Sequence, residues 1–244
     1  MGQFIWTGFD YLGEVIPFGW PARSSSFAPI DLCGFKKDGF YFYQSQWSDT
    51  PMVHLFPHWN LEGQEGKKIT VYAYTNGDEV ELFQDGRSLG KRKNDTDGVE
   101  YQSWEVIYNP GELKAVSYKS GKPHAEKIIK TTGEATNIEI FSRRKHMQAN
   151  GQDLIYVEFT LKDKDGNTVP KADNLLEFSL EGPATIAGVG NGNNMSHEPF
   201  QANRRKAFNG KCLAIIKSTK EAGEITLTVS GKGLTTNKIV LNSK

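Results

Sequence analysis

Short strand-forming runs separated by turn-forming dipeptides recur along most of the chain after residue 51. Strands spaced by turns about every 8–12 residues are typical of antiparallel β-sandwiches. Asn76-Gly77 and Asp85-Gly86 each predict a β-hairpin turn. The pattern predicts a first sandwich over residues 51–133, with Thr-Thr-Gly at 131–133 as a linker. Its strand candidates are residues 69–74, 80–83, 103–108 and 112–118.

The same pattern starts again after residue 134 and continues to the end of the chain. About seven strands of this kind make an immunoglobulin-like sandwich. We therefore predict a second, immunoglobulin-like sandwich over residues 134–244, related to the first by architecture and not by a clear sequence repeat. The strand candidates are residues 138–141, 154–162, 176–180, 185–189, 212–217, 225–229 and 238–241.

Residues 1–50 differ from the rest of the chain in composition. They hold 13 of the 28 aromatic residues but only 8 of the 58 charged ones. A segment so rich in rings either packs against a large neighbour or lines a binding site. Its apolar residues 1–7 predict a buried strand, and Phe40, Tyr43 and Trp47 have the spacing of an amphipathic helix over residues 37–47. The fold class is thus mainly β, with one small α/β unit that is too short to be a domain.

Several function classes are disfavoured. The net charge is zero, which argues against a nucleic-acid binder with a basic surface. No apolar run is long enough for a membrane span, and no secretory leader is visible at residue 1. Cys33 and Cys212 form neither a disulfide framework nor a zinc cluster, and we predict no metal and no cofactor. Glycosylation acceptor sequences begin at Asn94 and Asn194 and are weak signals by themselves.

Trp6, Asp10 and Glu14 are the candidate site residues. The two carboxylates lie in an aromatic loop directly after the predicted strand, where a β/α barrel places its active site. Trp6 offers a flat apolar face for a sugar ring. The residues alone favour equally a second interpretation, in which Trp6 belongs to a core and the carboxylates cap the loop.

Two motifs in the second half have structural and functional interpretations. The glycine-rich residues 188–192 are not a dinucleotide fingerprint, and favour a strand end that another segment approaches closely. The polar loop 191–205 contains His197 and Glu198. It has side chains suited to sugar binding, but packing on a neighbouring segment is the more common role of such a loop.

Residues 4–14 (Phe-Ile-Trp-Thr-Gly-Phe-Asp-Tyr-Leu-Gly-Glu) closely resemble glycoside hydrolase family 2, specifically its bacterial β-galactosidases. In that family the match falls on the eighth strand of the catalytic (β/α)8 barrel, and residues 35–47 resemble the last barrel helix. Residues 54–60 and 75–87 resemble the sandwich that follows the barrel. Residues 188–192, 198–203 and 207–210 resemble the terminal immunoglobulin-like domain.

The resemblance implies that this chain is the C-terminal portion of a β-galactosidase or related β-glycosidase. Trp6 matches the family's sugar-stacking tryptophan, whereas Asp10 and Glu14 match barrel-top positions outside the catalytic pair. The family's acid/base is the Glu of an Asn-Glu dipeptide, which this sequence lacks. Its nucleophile lies on the seventh strand, upstream of Met1. The resemblance therefore implies no catalytic residue here, an upstream barrel and a β-galactoside as partners, and a periplasmic or secreted location.

A second hypothesis is an independent carbohydrate-binding or adhesion module. Such modules present aromatic rings on an exposed sheet face. The second sandwich has few rings, and the alternation of its strands predicts that most of them are in the core. They are Phe141, Tyr156, Phe159, Phe178, Phe200 and Phe208.

Overall fold

A computed structural model describes residues 4–94 and 101–244, and these residues are mainly β with one helix of ten residues. Residues 1–3 of the predicted N-terminal strand and most of the acceptor sequence at Asn94 lie outside this part. The chain divides into two compact units, Lys36–Thr132 and Met1–Phe35 with Gly133–Lys244. The predicted domain limits of 1–50, 51–133 and 134–244 stay a prediction.

The unit Lys36–Thr132 is a sandwich of two antiparallel sheets that carries the helix. The elements are α1 (Asp38–Trp47), β1 (Val53–Phe56), β2 (Lys68–Thr75), β3 (Glu79–Gln84), β4 (Arg87–Lys93), β5 (Gln102–Ile107), β6 (Glu112–Lys119) and β7 (Lys122–Lys130). The sheets have the strand orders β1-β2-β5 and β4-β3-β6-β7. Their inner faces enclose Trp59, Val71, Val80, Leu82 and Leu113, all fully buried.

One of the two predicted hairpins forms and the other does not. Asp85 and Gly86 connect the paired strands β3 and β4, with φ of 48° and 81° as a tight turn requires. The hairpin predicted at Asn76-Gly77 is wrong, because β2 and β3 belong to different sheets. The Asn76 amide instead donates to the carbonyl oxygens of Ser48 and Thr50, 2.7 and 2.8 Å away. Asn76-Gly77 therefore lies where the chain passes from one sheet to the other.

The predicted helix is present, but it packs through a different face. Tyr41 stacks on His54 of β1 with ring centroids 3.9 Å apart, and Phe42 meets Tyr74 of β2 edge-on at 5.4 Å. Trp47 of the predicted apolar stripe is largely exposed. The helix has aromatic rings at residues 40–43 and 47, which lie around most of its circumference. The spacing of apolar residues therefore does not determine which face of the helix packs on the sheet.

The second unit contains the other sandwich, and all seven predicted strands are present. The strands are β8 (Asn137–Ser142), β9 (His146–Met147), β10 (Leu154–Lys162), β11 (Leu175–Glu181), β12 (Ala184–Gly190), β13 (Arg204–Lys206), β14 (Lys211–Ser218), β15 (Gly223–Gly231) and β16 (Asn237–Ser243). The two antiparallel sheets have the orders β12-β14-β10-β8 and β13-β11-β15-β16, and the second is extended by the short parallel strand β9. Residues from the inner faces of both sheets fill one core.

Two sequence expectations for this unit are corrected. Residues 4–7 form no strand, and the nearby backbone makes only the isolated bridges Phe9–Ile30 and Leu12–Ser24. No described strand lies beside residues 4–7 to share a ladder of hydrogen bonds. The prediction that most of the six rings lie in the core is wrong: Phe159 and Phe178 are buried, whereas Phe141, Tyr156 and Phe200 are exposed. No helix in the described residues has the length and apolar character needed to cross a bilayer.

Candidate functional site

The loop that carries the candidate residues is fastened to the chain segment that follows it. Asp10 donates its backbone N–H to the carbonyl oxygen of Ile30, and Gly13 donates to Arg23, at 2.9 and 2.8 Å. Tyr11 and Ser25 are joined twice, from Tyr11 N–H to Ser25 Oγ and from Ser25 N–H to Tyr11 O. These bonds hold residues 10–13 in one place although no regular strand is present.

Asp10 is buried within this loop. Its Oδ1 atom accepts the backbone N–H of Ala28 at 3.1 Å. A buried backbone donor without a partner is costly, so the carboxylate stabilises the path of residues 28–30. Asp10 therefore lies beneath the surface of the loop, where its carboxylate holds the backbone at Ala28 in position.

Trp6, Tyr11 and Glu14 form a hydrogen-bonded chain on the exposed side of the loop. The indole N–H of Trp6 donates to the Tyr11 hydroxyl oxygen at 3.2 Å, and that hydroxyl donates to Oε2 of Glu14. The Trp6 side chain is 75% exposed among the described residues. Tyr11, which the sequence analysis did not single out, links the two candidates and also meets Phe27 edge-on.

The glycine-rich residues 188–192 pack against residues 31–33 of the same unit. A Cβ atom on Gly190 would lie 2.6 Å from Sγ of Cys33, and one on Gly192 would collide with the Asp31 carboxylate. The Asp31 carboxylate is held in turn by the backbone N–H groups of Cys33 and Phe35. Close backbone approach, one of the interpretations of this motif, is what the structure shows.

The polar loop 191–205 packs on residues 20–23. Arg23 donates its backbone N–H to Asn194 O at 2.8 Å, and the His197 ring nitrogen Nε2 lies 2.8 Å from Pro21 O. Trp20 meets the His197 ring edge-on with centroids 4.8 Å apart. Trp20 was missed at the sequence level. Its neighbours Pro17, Gly19 and Pro21, which exclude regular structure, are the signal that it lies in a loop.

A buried arginine stabilises the loop 191–205 from below. The Arg205 guanidinium donates to Glu198 O at 2.8 Å and to Asn191 Oδ1 at 3.1 Å. Its charge is balanced by the Glu198 carboxylate, whose Oε2 lies 3.6 Å from Nε. The loop is therefore anchored to strand β13 of the sandwich through Arg205.

The described residues contain no group of three or more metal-ligating side chains. The Cys33 thiol beside the glycine-rich residues is a poor candidate for covalent chemistry. Burial, together with the nearby Asp31 charge, raises the pKa of the Cys33 thiol to about 12. A thiol with so high a pKa stays protonated near neutral pH and is a poor nucleophile.

Comparison with known proteins finds relatives over almost the whole length of this chain. The family model described as glycoside hydrolase family 2 C-terminal domain 5 matches residues 138–240. A domain of unknown function, DUF4982, matches residues 66–125. The beta-galactosidase BoGH2A of Bacteroides ovatus is 46% identical over 234 residues, 96% of this chain. The chain belongs to glycoside hydrolase family 2.

The family 2 match includes the aromatic segment as well as both sandwiches. A solved structure of a glycosyl hydrolase family 2 member from Bacteroides cellulosilyticus covers 100% of this chain at 36% identity, with a TM-score of 0.93. A putative beta-glucuronidase of Formosa agariphila is 34% identical over 98% of the chain. Residues 4–35 are thus matched together with the rest.

This family 2 chain corresponds to the C-terminal part of its relatives. It spans 27% of the length of the Bacteroides ovatus protein, 24% of the Formosa agariphila protein and 36% of the Bacteroides cellulosilyticus structure. The fold expected from the resemblance, mainly β with immunoglobulin-like sandwiches, is confirmed.

Proposed function

We propose that this chain serves as the C-terminal portion of a retaining β-galactosidase-type hydrolase, in which it completes one edge of the active site and supplies two supporting sandwiches. The observation that carries the proposal is the exposed Trp6 ring, on a loop that lies within the part of the chain matched by a family 2 structure. The catalytic pair and most of the barrel would come from an upstream region of the same protein.

Trp6 is assigned the sugar-stacking role. Its ring presents an apolar face, and its indole N–H is turned toward the Tyr11 hydroxyl, which fixes the ring orientation. An aromatic face suits the apolar C–H face of a pyranose, while the edge of the sugar needs hydrogen-bond partners.

The two carboxylates take different roles in this proposal. Glu14 is exposed and accepts a hydrogen bond from Tyr11, so it is placed to accept another from a sugar hydroxyl. Asp10 is buried and keeps the backbone of the loop in position through Ala28. It contributes to substrate binding by positioning.

A chimera tests this function. This chain would replace the matching segment of the Bacteroides ovatus beta-galactosidase, and release of nitrophenol from nitrophenyl β-galactoside would be measured. We expect hydrolysis by the chimera and none by the same protein without the segment. Trp6→Ala should lower kcat/KM at least about tenfold, the kinetic equivalent of about 1.4 kcal/mol of lost transition-state binding.

Two controls make the chimera informative. Trp6→Phe keeps an aromatic face and should retain more activity than Trp6→Ala. Phe141→Ala removes an exposed ring from another surface and should leave hydrolysis of this small substrate unchanged. A folded chimera without activity, or one indifferent to Trp6→Ala, would overturn the proposal.

A second candidate, an independent carbohydrate-binding module, is favoured by one observation. Phe141 and Tyr156 are 52% and 53% exposed on the neighbouring strands β8 and β10. Phe141 lies opposite Glu158, two residues beyond Tyr156, so the two rings take diagonal positions on one outer sheet face. Rings on such a face are what a sugar-binding platform requires.

A glycan array separates the two candidates. Selective binding by the whole chain that is lost on joint Phe141→Ala and Tyr156→Ala substitution would support a binding module. Binding that survives this substitution but is lost with Trp6→Ala would support the active-site role instead.

A further inference from the structure

Trp20 is the tip of a loop that two separate parts of the chain build together. The backbone bond from Gly13 N–H to Arg23 O closes residues 14–22 into an excursion that begins at Glu14. Short turns, from Phe18 N–H to Val15 O and from Ala22 N–H to Gly19 O, fold the excursion on itself. Trp20 lies within the second of these turns and is 84% exposed.

The loop 191–205 of the sandwich supports this tip at several points. His197 contacts Trp20 edge-on, and its Nε2 atom lies 2.8 Å from Pro21 O. Arg23 donates to Asn194 O at 2.8 Å and to Ser196 O at 3.4 Å. The backbone directly after Trp20 is therefore anchored to the sandwich, and the Trp20 ring contacts His197.

The hydrogen bond at His197 determines what its ring offers to a ligand. A carbonyl oxygen only accepts, so the Nε2 atom next to Pro21 O carries a proton. In the neutral ring Nδ1 is then an acceptor. An aromatic face with an acceptor at its edge suits a pyranose, which presents C–H groups on its face and hydroxyl donors at its rim.

The surroundings of Trp20 favour a sugar over a protein surface. The residues on either side of His197 are polar and half-buried, and the Asn194 and Ser196 carbonyl oxygens accept hydrogen bonds from Arg23. A small number of fixed polar groups around an aromatic face is typical of a ligand site, whereas the centre of a protein interface is apolar. The apolar centre of a protein interface is better matched by three exposed residues earlier in the chain, Phe4, Phe9 and Leu12.

We infer that Trp20 and His197 form an outer sugar subsite, which binds a pyranose unit of a β-linked oligosaccharide beyond the unit at Trp6. The inference rests on the proposed function for the direction of the glycan. Glu14 is linked to Trp6 through Tyr11 and begins the excursion that carries Trp20. The two tryptophans therefore lie on one continuous loop. The C-terminal sandwich thus takes part in substrate recognition through His197.

Direct binding to the whole 244-residue chain tests the subsite without any need for catalysis. The five tryptophan indole N–H signals would be followed by NMR during titration with β-1,4-galactotetraose and with methyl β-galactoside. We expect the tetrasaccharide to shift the Trp20 signal. Trp20→Ala should weaken its binding at least about tenfold.

Matched variants separate the contributions of Trp20, His197 and Trp6 to tetrasaccharide binding. Trp47→Ala, which removes another exposed tryptophan, should leave binding unchanged. His197→Phe keeps an edge contact but loses Nδ1 and the Nε2 bond to Pro21 O, so its binding should fall between those of the wild-type chain and His197→Ala. Trp6→Ala should leave the Trp20 shift in place, since the two rings are separate positions.

The outcomes distinguish this inference from the proposed function. An unmoved Trp20 signal, a shift of Trp6 alone, or equal affinity in the Trp20→Ala variant would overturn the subsite and leave the role of Trp6 intact. Conversely, an inactive chimera together with a Trp20 shift would count against the proposed function and support glycan binding at Trp20.

Discussion

The Sγ atom of Cys33 lies 2.6 Å from the position that a Cβ atom on Gly190 would take. No side chain fits between the two residues, so the contact requires glycine. Gly190→Ala should lower the free energy of unfolding by about 1–3 kcal/mol, because the added methyl group overpacks the site. Urea denaturation followed by circular dichroism measures the change.

Two further variants show whether the Cys33 contact is the cause. Gly188→Ala is a matched control, since the nearest atom to its added Cβ is 3.4 Å away. Cys33→Ala combined with Gly190→Ala should recover much of the loss, as expected for two groups that compete for one space. Equal stability of the two glycine variants would contradict this explanation.

Arg205 should be the most sensitive charged residue of the loop 191–205. Arg205→Ala removes donors to Glu198 O and Asn191 Oδ1 and leaves Glu198 without its counter-charge. We expect a loss of about 2–4 kcal/mol in the free energy of unfolding, somewhat below the cost of breaking a fully buried pair because Glu198 is partly exposed. The neighbouring, exposed Arg204→Ala is the control and should change stability little.

Asp153 should make stability depend on pH in the acid range. Hydrogen bonds from Arg144, and then from the Gln148 backbone, lower the pKa of this carboxyl to about 2. Since its pKa is depressed in the folded chain, its stabilising effect is present above the unfolded value near pH 4 and is lost as pH falls toward 2. The stability difference between the wild-type chain and Asp153→Asn should shrink over that window, whereas a difference independent of pH would contradict the assignment.

The sequence predicts elements better than it predicts their partners. All seven strands predicted for the second sandwich are present, and alternation of buried with less buried residues is clearest in β10 and β15, where one face of the strand is in the core. Asn76-Gly77 has the chemistry of a hairpin turn, but the bonds that Asn76 makes to Ser48 and Thr50 are not visible locally. The pattern also could not show that Phe141 faces outward, since an apolar ring is normal on either side of a strand.

The candidate site was predictable only through the resemblance. Composition showed that residues 1–50 need a partner or a ligand, but not which rings stay exposed. Asp10 and Glu14 have the same chemistry and lie four residues apart, yet one is buried under the loop and the other exposed. That difference arises from the pairing of the loop with residues 23–30, a contact beyond the reach of any local pattern.

Trp59 should be essential to the first sandwich. It is fully buried, donates its indole N–H to Asn109 O at 3.0 Å and meets Tyr108 edge-on at 4.9 Å. Trp59→Ala should cost about 3–5 kcal/mol, since it creates a large cavity and removes the hydrogen bond to Asn109 O. Trp47→Ala is the matched control in the same unit and should be nearly neutral in thermal denaturation.

The isolated chain should not hydrolyse an aryl β-galactoside. Retention needs an acid/base and a nucleophile about 5–5.5 Å apart, and the sequence contains no Asn-Glu dipeptide, which bears the acid/base in this family. General acid–base catalysis contributes about 10²–10⁴ in rate, so its loss together with that of the nucleophile should abolish measurable turnover. Asp10 is already bonded to Ala28 N–H, and Glu14 to Tyr11. Nitrophenol release from nitrophenyl β-galactoside is the assay, and robust turnover that disappears in Asp10→Asn or Glu14→Gln would refute the non-catalytic assignment of both carboxylates.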